Sequence, residues 1–137
     1  FKVTDNLETF VSLGYVHTEF KSFNDLTYGN LSGLPFPEAP EWSVGLGGRY
    51  TFDNGVFVGA DAKYTSSYLA RLGSLPHDYI DSRWIVNMQA GYKAERWEIN
   101  AFAQNLLDEK YFVYNDNNIA ATLGERRSVG MNLKIRF

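Results

Sequence analysis

The sequence predicts an all-β fold in which six antiparallel strands form part of a transmembrane β-barrel. Three observations lead to this fold class. Apolar and polar residues alternate with a period of two over several long stretches, and these stretches are joined alternately by short turns and by long loops. The stretches span roughly nine to thirteen residues, which is enough for a tilted strand to cross a bilayer, whereas strands of soluble sheets typically have about five or six.

The alternation is clearest in residues 127–137. Val129, Met131, Leu133, Ile135 and Phe137 fall on one face, and glycine and polar residues fall on the other. A helix would scatter these residues around its axis, whereas a strand separates them into two rows. The same pattern predicts strands at residues 7–19, 41–52, 56–66, 82–94, 97–105 and 127–137. Thr9, Phe10 and Phe102 are exceptions, because each falls on the side that the pattern does not predict.

The connections between the predicted strands alternate in length. Tight turns are predicted at residues 4–6, 53–55 and 95–96, of which Asp53-Asn54-Gly55 is the strongest because Asn and Gly tolerate positive φ. Long loops are predicted at about residues 20–40, 67–81 and 107–126. Bacterial outer-membrane barrels have this layout, with short periplasmic turns and longer extracellular loops. Aromatic residues near both ends of the strands predict two girdles at the membrane interfaces.

Composition and motifs argue against several other classes of protein. No stretch approaches the roughly 18 consecutive apolar residues of a transmembrane helix. The net charge is −3 without a basic tract, so nucleic acid is not an expected partner, and cysteine is absent. His17 and His77 do not stand in a metal-ligand spacing, and no nucleophile or phosphate-binding motif occurs. The sequence therefore predicts no catalytic residues, no metal site, no cofactor and no enzyme.

Six strands are too few to close a membrane barrel, because the smallest closed barrels have about eight. We therefore expect residues 1–137 to be the C-terminal segment of a larger barrel, with further strands N-terminal to Phe1. The polar row of each strand should face a lumen that is filled by water or by a plug. The expected lumen-facing residues are Arg49, Asp61, Lys63, Asn87, Gln89, Asn100, Gln104, Asn132, Lys134 and Arg136.

Several motifs together resemble the C-terminal part of TonB-dependent outer-membrane receptors of the siderophore-receptor type. Residues 105–111 (NLLDEKY) resemble the family's NLxDxxY signature, and residues 124–127 (GERR) resemble its GEPR, with Arg126 in place of proline. Residues 34–42 (LPFPEAPEW), leading into a strand that ends in Tyr50-Thr51-Phe52, are similar to the family's LPxxP motif. The end of the chain looks like the signal that the barrel-assembly machinery reads, carried by Gly130, Leu133, Ile135 and Phe137.

The resemblance implies a barrel of about 22 strands in the outer membrane of a Gram-negative bacterium. Its implied partners are outer-membrane lipid, the N-terminal remainder of the barrel and its plug, TonB acting through that missing part, and the barrel-assembly machinery. The plug itself is expected to lie outside residues 1–137. The implied function is active uptake of a ferric siderophore or a similarly scarce nutrient.

Loop residues that combine aromatic rings with positive charge are the candidate ligand site, since such groups suit an anionic, partly aromatic iron chelate. These candidates are Tyr28, Phe36, Tyr68, Arg71, His77, Tyr79, Tyr111 and Tyr114. The chelate would be a transported ligand and not a bound cofactor. Two alternatives remain open from the sequence: a passive outer-membrane porin or structural barrel, and a soluble binding protein of the lipocalin type.

Overall fold

The computed structural model describes residues 1–72, 79–116 and 119–136, and its centre is one antiparallel sheet of six strands. The long strands are β1 (Leu7–Tyr15), β4 (Trp42–Thr51), β5 (Val56–Thr65), β8 (Arg83–Lys93), β9 (Trp97–Gln104) and β12 (Ser128–Ile135). They pair in the order β1-β4-β5-β8-β9-β12, so each long strand lies beside the next one along the chain. The predicted all-β, antiparallel fold is confirmed. Within the described residues, no helix is long and apolar enough to cross a membrane.

The long loops contain three small hairpins that the periodicity of the sequence does not predict. These hairpins pair β2 (Asn24–Asp25) with β3 (Gly29–Asn30), β6 (Tyr68–Leu69) with β7 (Tyr79–Ile80), and β10 (Phe112–Asp116) with β11 (Ala120–Leu123). The first long strand is shorter than the predicted range 7–19. It ends at Tyr15 because only Val16 continues the ladder, donating to the carbonyl of Glu41 at 3.0 Å, before the chain departs toward β2.

Strand registers place most of the apolar residues of the six long strands on one continuous surface, here called the outer face. In chain order it consists of Leu7, Thr9, Val11, Leu13, Tyr15, Trp42, Val44, Leu46, Gly48, Tyr50, Val56, Val58, Ala60, Ala62, Tyr64, Trp84, Val86, Met88, Ala90, Tyr92, Trp97, Ile99, Ala101, Ala103, Val129, Met131, Leu133 and Ile135. These six strands are fully described, and their outer face carries no charged side chain. Leu13 is 68% exposed and Leu133 is 62% exposed, so the chain's own elements do not cover this surface. A sheet that leaves so large an apolar surface uncovered requires an apolar environment or partner.

Aromatic rings pair at both ends of the outer face. At the end nearer the long loops, Tyr15 lies 4.5 Å from Trp42 and Tyr64 lies 5.1 Å from Trp84, measured between ring centres. At the end nearer the short turns, the pairs are Tyr50 with Phe52 at 4.8 Å and Tyr92 with Trp97 at 5.4 Å. Two belts of rings bordering an apolar band are the arrangement expected at the two interfaces of a bilayer.

The opposite surface, here called the inner face, carries polar residues and glycines except for Ile85 and three phenylalanines that each oppose a glycine. Phe10 pairs with Gly47, Phe57 with Gly91 and Phe102 with Gly130. A Cβ atom added to any of these glycines would lie less than 3.0 Å from a ring atom of the facing phenylalanine. Each ring therefore lies over a neighbouring strand at a point where no side chain intervenes. This explains why Phe10 and Phe102 break the apolar–polar alternation.

The sheet has two edges, formed by β1 and β12. Residues 1–3 fold back along β1, where Thr9 donates to the carbonyl of Phe1 at 2.8 Å and Lys2 forms a bridge with Glu8. Among the described residues, no strand pairs with the free side of β12. Because unpaired edges are costly in hydrocarbon, a membrane location requires further strands to complete the ladder.

Candidate functional site

A cavity of about 470 Å³ lies on the inner face at the end of the sheet where the long loops begin. All three long loops contribute to its wall, together with the ends of β4, β5 and β8. Its lining residues are Glu38, Pro40, Ser43, Lys63, Thr65, Tyr68, Arg83, Val113, Tyr114 and Thr122. Two cations, two phenolic rings and three aliphatic hydroxyls therefore surround one space, with Glu38 as its single carboxylate.

Arg83 is the most unusual residue of this cavity. Its guanidinium carbon lies 4.6 Å from the centre of the Tyr111 ring and 5.6 Å from the centre of the Tyr68 ring. Its Nη1 atom is buried and has no hydrogen-bond partner among the described residues. An arginine is always charged, and burying a donor of a charged group without a partner is unfavourable. The position therefore favours an anionic group that could accept a hydrogen bond from Arg83.

Lys63 supplies the second positive charge and forms no ion pair with any described residue. Its neighbour Asp61, two residues away on the same face, is engaged elsewhere, because it accepts a hydrogen bond from Asn87 Nδ2 at 2.7 Å. Lys63 and Arg83 thus outnumber Glu38, the single carboxylate that lines this partly enclosed space. Coulombic attraction for an anion is stronger there than at an open surface.

The cavity wall is held in place by contacts between the second and third long loops. The Tyr68 hydroxyl donates to the carbonyl of Val113 at 2.9 Å, and Arg71 forms an ion pair with Asp116 at 3.2 Å. Tyr68, Ala70 and Ile80 form a small buried apolar cluster beneath them. These contacts join hairpin β6–β7 to hairpin β10–β11 and hold this wall of the cavity together.

Asn105 ties the base of the third loop to the sheet. It is only 4% exposed, and its side-chain amide donates to the carbonyls of Glu109 and Glu125, both at 2.9 Å. Its carboxamide oxygen accepts from the Glu109 N–H at 2.9 Å, and its own N–H donates to Asn87 Oδ1 at 3.0 Å. The φ angle of 46° at Asn105 is in the left-handed region that asparagine tolerates better than most residues. Asn105, the first residue of the NLLDEKY stretch, thus joins both ends of the third long loop to β8 by hydrogen bonds.

Asp108 and Arg126 form a clamp across the same loop. The Asp108 carboxylate accepts hydrogen bonds from Arg126 Nε at 2.9 Å, from Arg126 Nη2 at 2.7 Å and from the Arg127 N–H at 3.1 Å. The hydrogen bond from Arg126, followed by that from the Arg127 backbone, holds the pKa of Asp108 well below its usual range, and Asp108 in turn raises the pKa of Arg126. Arg126 is the residue that replaces the proline of the GEPR pattern, so this departure supplies one half of the clamp.

The structure brings only some of the predicted ligand residues together. Tyr68 and Tyr114 line the cavity, and Tyr111 lies against Arg83. Arg71 is engaged with Asp116, and Tyr79 lines a separate space of about 250 Å³ with His17. Phe36 packs against Phe20 at 4.6 Å, and Tyr28 is exposed in hairpin β2–β3. His77 lies outside the described residues.

The sequence does not single out Arg83 as a ligand residue, although it is central to the cavity. The alternation of β8 does place it on the inner face, directly before the girdle residue Trp84. Only the folded loops reveal that two rings enclose it. From the sequence alone, Arg83 could be recognised only as a cation on the inner face at the loop end of a strand.

The expected lumen-facing residues within the long strands all lie on the inner face, and Arg136 continues the same row beyond β12. Of the residues in the predicted assembly signal, Leu133 and Ile135 lie on the outer face and Gly130 lies under Phe102, while Phe137 is outside the described residues. In the part of the chain that is described, no group of three or more His, Cys, Asp or Glu residues is placed to hold a metal ion.

Comparison with known proteins gives consistent matches. Residues 3–106 match the family model described as TonB dependent receptor-like, beta-barrel. The ferric-catecholate import receptor Fiu from E. coli K12 superposes with a TM-score of 0.81 at 21% identity, covering 98% of this chain and 19% of that one. The siderophore receptor PiuA from Acinetobacter baumannii gives 0.78 at 19% identity, covering 97% and 20%. The ferric citrate transporter FecA gives 0.74 at 24% identity, covering 97% and 21%, so the chain spans about a fifth of each of these receptors.

Proposed function

We propose that this chain, which belongs to the TonB-dependent receptor β-barrel family, forms part of an outer-membrane receptor that takes up a scarce nutrient by active transport. The observation that carries the proposal is the family match over residues 3–106, combined with a largely apolar outer face that carries no charged side chain. Such a face is suited to lipid, and the inner face is suited to water or to a plug. The receptor would lie in the outer membrane of a Gram-negative bacterium.

The candidate ligand is an anionic metal chelate, such as a ferric siderophore or ferric citrate. Arg83 and Lys63 would neutralise its charge, and the rings of Tyr68 and Tyr114 would pack against its organic part. The chelated iron would arrive with its coordination filled, so the protein need not supply metal ligands. The similar proteins Fiu and FecA are a ferric-catecholate import receptor and a ferric citrate transporter, which supports this class of ligand for the present chain.

Active transport further requires an energy source. We infer that it is TonB, acting through a plug enclosed by the completed barrel, with the inner-face polar residues lining the space around that plug. A passive porin would instead admit solutes without energy. Adding a protonophore to cells that express the whole receptor distinguishes active transport from passive diffusion, since only active uptake should stop.

The ligand site is tested by removing its charge. We expect the substitutions Arg83→Gln and Lys63→Gln, made in the whole receptor, each to weaken binding of radiolabelled ferric chelates by about tenfold, the scale of one charge-assisted hydrogen bond. Lys21→Gln is the matched control, because Lys21 is an exposed cation of the first long loop that does not line the cavity. Unchanged binding of every anionic chelate by both variants would refute the assigned site.

A further inference from the structure

Glu38 supplies the single carboxylate among the described residues that line the cavity of about 470 Å³, and it does not neutralise the cations there. Lys63 and Arg83 line the same space, yet neither forms an ion pair with Glu38 or with any other described residue. Glu38 is exposed, so a ligand in the cavity can reach it. Its carboxylate is therefore available to accept hydrogen bonds from a bound molecule.

The backbone at Glu38 has a conformation that glutamate rarely adopts. Its φ angle of 58° lies in the left-handed region, and Pro37 precedes it in a turn. Proline at the second position and a positive φ at the third are the arrangement of a type II turn, in which glycine or asparagine usually takes the third position. Glycine would form this turn with less strain than glutamate does, so the turn itself gives no reason for the carboxylate.

The position of Glu38 is fixed relative to Arg83 through hairpin β6–β7. The Glu38 N–H donates to the carbonyl of Leu69 at 2.7 Å, and Leu69 is almost completely buried. The preceding residue, Tyr68, has its ring centre 5.6 Å from the Arg83 guanidinium carbon, and its hydroxyl donates to the carbonyl of Val113. The Glu38 backbone and the Arg83 guanidinium thus contact adjacent residues of β6, which limits how far the two charged residues can move relative to each other.

We propose that Glu38 selects metal chelates that carry an ammonium group beside their anionic part. Arg83 and Lys63 bind the anionic part, and Glu38 accepts a charge-assisted hydrogen bond from the ammonium group. A chelate that lacks this group leaves the Glu38 carboxylate unpaired beside another negative charge, and like charges repel each other more strongly in a partly enclosed space than in open water. This selection rests on the proposed function, because it names the kind of chelate that the same cavity prefers.

Matched pairs of chelates test this selection in the whole receptor. A ferric tris-catecholate and a ferric α-hydroxycarboxylate are each made in two forms, one with a primary amine on its linker and one with that amine acetylated. We expect the unaltered receptor to bind the amine forms about tenfold more tightly, the scale of one charge-assisted hydrogen bond, and Glu38→Gln to bind both forms equally. Glu19→Gln is the matched control and should keep the preference, because Glu19 is an exposed acid of the same β1–β4 connection that lines the separate space of about 250 Å³.

Glu38→Gly distinguishes the role of the carboxylate from that of the turn. Glycine adopts the positive φ readily and removes the side chain, so we expect the preference for the amine forms to be lost while the urea midpoint of the receptor is not lowered. Equal binding of the two forms by the unaltered receptor, or a preference that survives in Glu38→Gly, would overturn the selection by Glu38 and leave the proposed function standing. Failure of every chelate to bind the unaltered receptor would instead overturn the proposed ligand class, and the selection with it.

Discussion

At the scale of single residues, the inner face shows how a ring and a glycine can replace an ordinary side-chain pair. Phe57 is fully buried although it lies on a polar face, because it rests over Gly91 on β8 and under the guanidinium of Arg49, whose carbon is 3.6 Å from the ring centre. The ring is thereby covered on both sides. Small size at Gly91 is a requirement of this contact and not of backbone conformation.

The substitution Gly91→Ala tests that requirement. The added Cβ atom would lie less than 3.0 Å from the carbonyl oxygen of Ile99 and from the Phe57 ring, and the carbonyl belongs to a paired strand that cannot easily move. Overpacking of this kind costs about 1–3 kcal/mol of unfolding free energy, and we expect a lower urea midpoint for the whole receptor refolded in lipid.

Gly14→Ala is the control for this prediction. Its added Cβ atom would meet nothing closer than Ser43 Cβ at 3.7 Å, which is an ordinary van der Waals distance. We expect its urea midpoint to equal or slightly exceed that of the unaltered receptor, since alanine restricts the unfolded chain more than glycine does. Equal midpoints for the two variants would show that the ring contact at Gly91 is unimportant.

At the scale of elements, the clamp of Asp108 and Arg126 fixes where the third long loop leaves the sheet. The pKa of Asp108 is lower in the folded chain than the value of about 3.9 expected when unfolded. A carboxyl whose folded pKa is depressed contributes stability that is complete above the unfolded pKa and is lost as the pH falls toward the folded one. We therefore expect proteolysis of residues 106–127 by an acid-active protease to accelerate as the pH falls below about 4.

Asp108→Asn isolates this effect, because asparagine cannot form the charged clamp at any pH. The variant should be cut rapidly even at pH values where the unaltered receptor resists, and its cleavage should show less pH dependence. Asp5→Asn serves as the control, since Asp5 is an exposed acid whose single ion pair with Lys2 lies at the other end of the sheet. If Asp108→Asn retained the pH dependence of the unaltered receptor, another group would have to be responsible.

The elements also show what the sequence could and could not predict. The two faces of the long strands follow from period-two alternation, because each side chain's face is decided locally by its position in the strand. The small hairpins in the loops depend instead on distant partners, as when Tyr68 bonds to Val113. Arg83 could be placed on the inner face from the sequence. Its enclosure by Tyr68 and Tyr111 depends on loops that only the complete fold brings together.

At the scale of the whole molecule, the sheet separates an apolar surface from a polar one, and the polar surface holds all the charged side chains of the long strands. The outer and inner faces differ in polarity, and the inner face carries cations at both of its ends, around Arg83 and around Lys134. The first group faces the space enclosed by the long loops, and the second lies by the short turns. In the proposed receptor, an anionic ligand would therefore meet positive charge at the long-loop end of the lumen.

The assignment of the two faces is tested by a pair of adjacent residues in the middle of β8. Met88 lies on the outer face and is 48% exposed, whereas Gln89 lies on the inner face. Arginine on a lipid-facing position at the bilayer midplane costs about 2–4 kcal/mol, so Met88→Arg should lower the unfolding free energy of the receptor in lipid by that amount. Gln89→Arg introduces the same side chain one residue away, where it can reach water or polar neighbours, and should change that free energy little. The fraction of receptor that resists unfolding in unheated detergent gels measures both variants. Equal losses for the two, or a larger loss for Gln89→Arg, would mean that the apolar face does not meet lipid.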